Sequence, residues 1–99
     1  MSLLNNDELS QVSGGVAAAA MNAAVQTAIE SLNTIKADRF AVYDTEGINQ
    51  IIGMISGITS SNAATVIANA KKAAYKFSVM SISDSVVNVL DTLKTALGV

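Results

Sequence analysis

Ninety-nine residues allow one domain at most, and an apolar content of 51% suffices for a modest core although only 4% of the chain is aromatic. Cysteine and histidine are both absent, which removes disulfides, thiolate nucleophiles, imidazole bases and zinc sites together; the scattered acids form no motif, so no enzyme, catalytic residue, metal site or cofactor is expected. The net charge of −2 sits in Asp7 and Glu8 and leaves residues 16–99 formally neutral, without the basic surplus that nucleic-acid binding needs.

The chain opens on "LNNDELSQVSGG", residues 4 to 15, a polar segment ahead of four consecutive alanines. Its first basic residue is Lys36, so the charged start and apolar centre of a secretory signal peptide are missing. On a helix from about Asn6 to Ser13, Leu4, Glu8, Leu9 and Val12 would fall within one arc of roughly 140° and face one partner. Such a helix is too short to persist alone and should order on binding.

Counting back from Gly15, the segment has glycines at Gly14 and Gly15, a β-branched aliphatic at Val12, a Glu-Leu pair at Glu8-Leu9 and an aliphatic at Leu4. On these six positions it resembles the double-glycine leader of bacteriocin precursors exported by peptidase-containing ABC transporters, especially the colicin V type. The resemblance covers residues 1–15 only. It implies that Leu4, Glu8, Leu9 and Val12 engage the transporter's peptidase domain, and that Gly14 and Gly15 thread a narrow cleft, where a Cβ would clash, so that cleavage leaves Val16 as the new N-terminus. The chain then divides into a leader, 1–15, and a mature domain, 16–99, secreted from a bacterial cytoplasm. The competing reading is a short N-terminal helix for which Gly14-Gly15 is the C-terminal stop.

Without proline, the body can be helical almost throughout. Met21, Val25, Ala28, Leu32 and Ile35 recur at spacings of four and three and predict a helix over about 17–36. Asp38-Arg39 and Asp44-Thr45-Glu46-Gly47 bracket Phe40, Val42 and Tyr43 in a turn-like region. A second helix follows over about 46–58, with Ile48, Ile51, Ile52, Ile55 and Ile58 as its apolar face. "TSSN" at 59–62 offers hydroxyl and amide caps for a third helix over 63–80, with Val66, Ala70, Ala73, Phe77 and Met80 near one face. Ser83 or Asp84 can cap a fourth over 84–97, striped by Val86, Leu90, Leu93 and Leu97 and stopped by Gly98. The fold expected is all-α: a short leader helix, then a small bundle of three or four amphipathic helices.

Two features leave alternatives open. Lys71, Lys72 and Lys76 form the one basic cluster, either a solvated helix face or a contact for anionic lipid. Gly47 to Ala70 is a run of 24 uncharged residues, about 36 Å long as one helix, and contains Gly53-x-x-x-Gly57, a spacing that lets helices pack closely in a membrane or a bundle. Asn49, Gln50, Thr59, Ser60, Ser61, Asn62, Thr65 and Asn69 make it more polar than an ordinary span. A membrane-inserting hairpin or span and two helices of a soluble or self-associating bundle both fit.

Three functions follow. The leader and the small, low-charge body point first to a secreted antibacterial peptide of the class II microcin kind, acting on competitor envelopes; its partners would be the exporter, a target-cell membrane or receptor, and an immunity protein. The alternative is an exported helical subunit that self-assembles into homo-oligomers, filaments or surface aggregates, favoured by alanine-rich faces and low charge. If the leader is not cut, the chain is an intracellular helical partner-binding protein.

Overall fold

A computed structural model describes residues 18–99. They form four α-helices and one 3₁₀ turn: α1 (Ala18–Lys36), the 3₁₀ turn Arg39–Tyr43, α2 (Thr45–Ser56), α3 (Ala63–Ala74) and α4 (Met80–Leu97). The expected all-α bundle is what these residues build. Each helix packs on its neighbour in sequence and α1 closes against α4, an antiparallel up-down-up-down ring of the kind that short connections impose.

The apolar stripes meet in one core. Met21, Val25, Ala28 and Leu32 of α1, Ile48, Ile51 and Ile55 of α2, and Val86, Leu90, Leu93 and Leu97 of α4 are buried as their spacing requires, while Ile35, Ile52 and Ile58 pack at its margin. With so few aromatics the filling is aliphatic. On α3 small residues predominate: Ala63, Ala70 and Ala74 are buried around Ile67, which brings its neighbours close.

The third and fourth helices depart from expectation. The former ends at Ala74 rather than residue 80, and the latter begins at Met80 rather than 84. The reason lies 34 residues upstream. Ser78 N–H donates to Asp44 Oδ1 at 2.7 Å and Val79 N–H to Oδ2 at 3.1 Å, so these amides leave the α3 ladder for a carboxylate from the α1–α2 connection. Neither Ser83 nor Asp84 caps α4. The N-cap residue is Val79, which has no side-chain acceptor; Asp44 binds the amide of that residue and of Ser78 before it, fixing the chain's entry into α4 rather than capping its first turn. Phe77 and Met80 consequently leave the α3 face on which their spacing put them.

The uncharged window is not one helix. It divides into α2 and α3 around residues 57–62, and among the described residues no helix is long and apolar enough to cross a membrane. Asn62 stands at the N-cap of α3 but turns away from it: its Oδ1 accepts from Thr59 N–H at 2.7 Å and its Nδ2 donates to the Gly57 carbonyl at 3.1 Å, pinning the loop instead of capping the helix.

Candidate functional site

The leader positions Leu4, Glu8, Leu9 and Val12, the cleavage positions Gly14, Gly15 and Val16, and the short leader helix lie outside the described residues. Gly53 and Gly57 lie within them. Both are solvent-exposed, Gly53 on α2 and Gly57 at its C-cap; a Cβ on Gly53 would meet nothing within 4 Å, and one on Gly57 only the Met54 carbonyl of α2, 3.6 Å away. The pair brings no helices together inside this bundle. The glycine that does permit close approach is Gly47, where a Cβ would stand 2.5 Å from Phe77 Cε1.

The structure instead gathers an assembly of side chains at one end of the bundle. The alternating helix directions bring together the end of α1, the 3₁₀ turn, the start of α2, the end of α3 and the start of α4. Asp44 is their joint. It is only 4% exposed and is the N-cap residue of α2, yet its carboxylate serves α4, so the positive ends of two helix dipoles meet at one buried charge. Asp38 begins the 3₁₀ turn by accepting Phe40 N–H at 2.8 Å. Thr45 Oγ1 donates to the Ala41 carbonyl at 3.1 Å, and Ala41 is fully buried.

This pinning turns the neighbouring side chains outward. Phe40 is 54% exposed, Tyr43 80%, Tyr75 65% and Met80 77%, and Val42 is also exposed. Among the described residues only one other large apolar side chain, Val99, is exposed. A chain with two phenylalanines and two tyrosines thus presents three of the four to water on segments that meet at a single end. The sequence carried half of this signal, since Phe40, Val42 and Tyr43 stood apolar between turn residues. The other half was hidden because Met80 matched a helical stripe.

Cations and acids both lie at this end. The Arg39 guanidinium lies 4.8 Å from the centroid of the Phe40 ring, a cation–π arrangement. Lys36 Nζ donates to Asn49 Oδ1 at 2.9 Å. Lys72 and Lys76 line a polar cleft of 620 Å³ between α2 and α3, with Tyr43, Glu46, Gln50 and Asn69. The third member of the cluster, Lys71, separates from these two: it pairs with Asp91 of α4 at 2.6 Å, and that hydrogen bond raises its pKa above the ordinary 10.5. Among the described residues no group of three or more His, Cys, Asp or Glu is placed to hold a metal ion.

A second concavity runs along the side of the bundle. It is an uncharged groove of 340 Å³ between α1 and α4, lined by Ala24, Thr27, Ala28 and Ser31 on one wall and Asn88, Val89, Thr92, Leu93 and Ala96 on the other. Comparison with protein-family models, with curated proteins and with solved structures finds no match to this chain.

Proposed function

We propose that the chain is the precursor of a small secreted antibacterial protein, exported by a peptidase-containing ABC transporter, cut after Gly15 and acting on the envelope of competing bacteria. The observation that carries this reading is the match of Leu4, Glu8, Leu9, Val12, Gly14 and Gly15 to the double-glycine leader, set immediately ahead of the helical body. Among the described residues the core runs from Met21 of α1 to Leu97 of α4, all of it on the C-terminal side of the bond between Gly15 and Val16. The exposed apolar end is a surface through which such a product can act on an envelope.

The test is killing. The product beginning at Val16, purified in folded form, should inhibit bacteria related to the producer, and a strain carrying the matching immunity protein should resist it. A correctly cut product that is inert across many close relatives contradicts the reading.

One observation favours the second reading, an exported subunit that self-assembles. The groove between α1 and α4 carries no charge, and Glu30 is the one charged residue on α1 before its terminal Lys36, where a solvated face ordinarily carries several. A subunit of this kind sediments as ordered polymers; a monodisperse monomer at high concentration in physiological salt excludes it.

A further inference from the structure

The groove between α1 and α4 is mostly apolar. Ala24 and Ala28 of α1 face Leu93 and Ala96 of α4 across it, Thr27 and Thr92 add hydroxyls to its walls, and no charged side chain lines it. Ala24, Thr27, Ala28 and Ser31 recur at steps of three and four, so the α1 wall is one continuous face of that helix. Ala20, exposed one turn before Ala24, carries the same face toward the start of α1. The chain therefore enters α1 beside one end of the groove, and residues 1–17, which lie outside the described ones, are attached there.

We propose that the groove is the seat of the chain's own N-terminal segment in the uncut protein. Leu9 and Val12, on a helix over about Asn6 to Ser13, lie in it antiparallel to α1. This docking does not depend on the leader reading, which adds only that a cut after Gly15 uncovers the groove.

Length is the first argument. A helix of eight residues is about 12 Å long, and Asn88 to Ala96, which line the α4 wall, are about 12 Å apart along their helix. Ser13 to Ala17 can extend about 17 Å, whereas Ala24 lies about 9 Å along α1 from Ala18. The connection is thus long enough to reverse and to bring Val12 level with the groove. Gly14 and Gly15 fall inside it, and glycine accepts the backbone conformations that a tight reversal demands.

Pattern is the second argument. Leu9 and Val12 are three residues apart and so are neighbours on one helix face. At 100° per residue Asp7 falls opposite them and Glu8 beside them, which keeps both acids at the margin of an uncharged groove. A helix this short does not persist alone, and burial in the groove supplies what orders it. Tethering is the third argument. A segment joined by a few residues meets the groove at an effective concentration in the millimolar range, roughly. A second copy has no such advantage, and the nine residues that line the groove fall well short of the roughly 20–30 a side of a stable interface.

The experiment is paramagnetic relaxation in NMR of the full chain. The chain has no cysteine, so Ser10→Cys gives one site for a nitroxide, on the side of the segment away from Leu9 and Val12. Docking should broaden the amides of Thr27, Ser31 and Thr92 far more than those of Gln50 and Asn69 on α2 and α3. Leu9→Ser with Val12→Ser should lose that difference. So should Ala96→Lys, a change at an exposed position that should leave the circular dichroism as in the parent.

Equal broadening on all four helices overturns the inference, and so does groove broadening that survives Leu9→Ser with Val12→Ser. Mixing spin-labelled chain with isotope-enriched chain that carries no nitroxide tests for another occupant: broadening across chains means that a second copy fills the groove, which also overturns the inference. Failure of docking leaves the leader reading standing, since intact mass decides the cut. A filled groove in a chain that is never cut removes the leader reading and leaves the docking.

Discussion

Replacing Asp44 with alanine should destabilise the bundle far more than any other single carboxylate removal. Its two oxygens accept the amides of Ser78 and Val79 at 2.7 and 3.1 Å, and a hydrogen bond to a charged group contributes about 1.5–3 kcal/mol. Ser78 is exposed and Val79 half-buried, so water recovers part of the loss, as it does when an ordinary helix cap is removed at a cost of about 0.5–2 kcal/mol. The net expectation is about 3 kcal/mol, a large share of the roughly 4–12 kcal/mol available to a domain of this size. With a urea slope of about 1 kcal/mol per molar, the unfolding midpoint should fall by about 3 M. Asp44→Asn keeps one acceptor and turns an amide N–H toward the other donor, so it should lose about 2 kcal/mol. Asp38→Ala, an exposed local cap, should lose about 0.5–1 kcal/mol and is the control. Hydrogen exchange should show the amides from Ser78 to Ile82 deprotected in Asp44→Ala while α1 stays protected. If Asp44→Ala and Asp38→Ala shift the midpoint equally, the carboxylate is not the joint described here.

The glycines make opposite predictions. Gly53→Ala meets no neighbour and should stabilise the isolated protein by up to about 1 kcal/mol through helix propensity; destabilisation in urea unfolding would mean that the α2 surface is mispositioned. Gly47→Ala sets the same gain against the Phe77 ring, 2.5 Å from the new carbon, and should come out neutral to about 2 kcal/mol destabilising, with Phe77→Leu in the same chain recovering the loss. Gly98 ends α4 at φ 70°, so Gly98→Ala should cost about 1 kcal/mol in the same assay. Lys71 titrates above its ordinary 10.5 because Asp91 holds its charged form. The contribution of this pair is therefore complete below pH 10.5 and fades as the pH rises through the higher folded value; NMR of the Lys71 side chain should show the raised titration and Asp91→Asn should abolish it.

The helical stripes were legible because apolar residues at intervals of three and four can face a core only on a helix. Met21, Val25, Ala28, Leu32, Val86, Leu90, Leu93 and Leu97 all landed where that spacing put them. The boundary between α3 and α4 was not legible, because a contact 34 residues away in sequence decides it. Nothing local distinguishes Asp44, an ordinary candidate for the first turn of α2, from a carboxylate that also starts α4. The same contact hid the apolar end of the bundle. Met80 continues the spacing of Val66, Ala73 and Phe77, and only the break imposed at Ser78 and Val79 turns it to solvent. The glycine pair Gly53 and Gly57 was visible as a spacing, but spacing does not say which face of α2 is buried; Ile48, Ile51 and Ile55 take that face and leave the glycines outside.

Whether an address is cut from a folded cargo is tested most directly by intact mass. The protein recovered from the producer's culture medium should begin at Val16 while the cytoplasmic form retains residues 1–15, and a bulky residue at Gly14 or Gly15 should prevent the conversion without unfolding the bundle. A full-length chain found only inside the cell, or normal processing of those glycine variants, would contradict the account and make Gly14-Gly15 the stop of a short N-terminal helix.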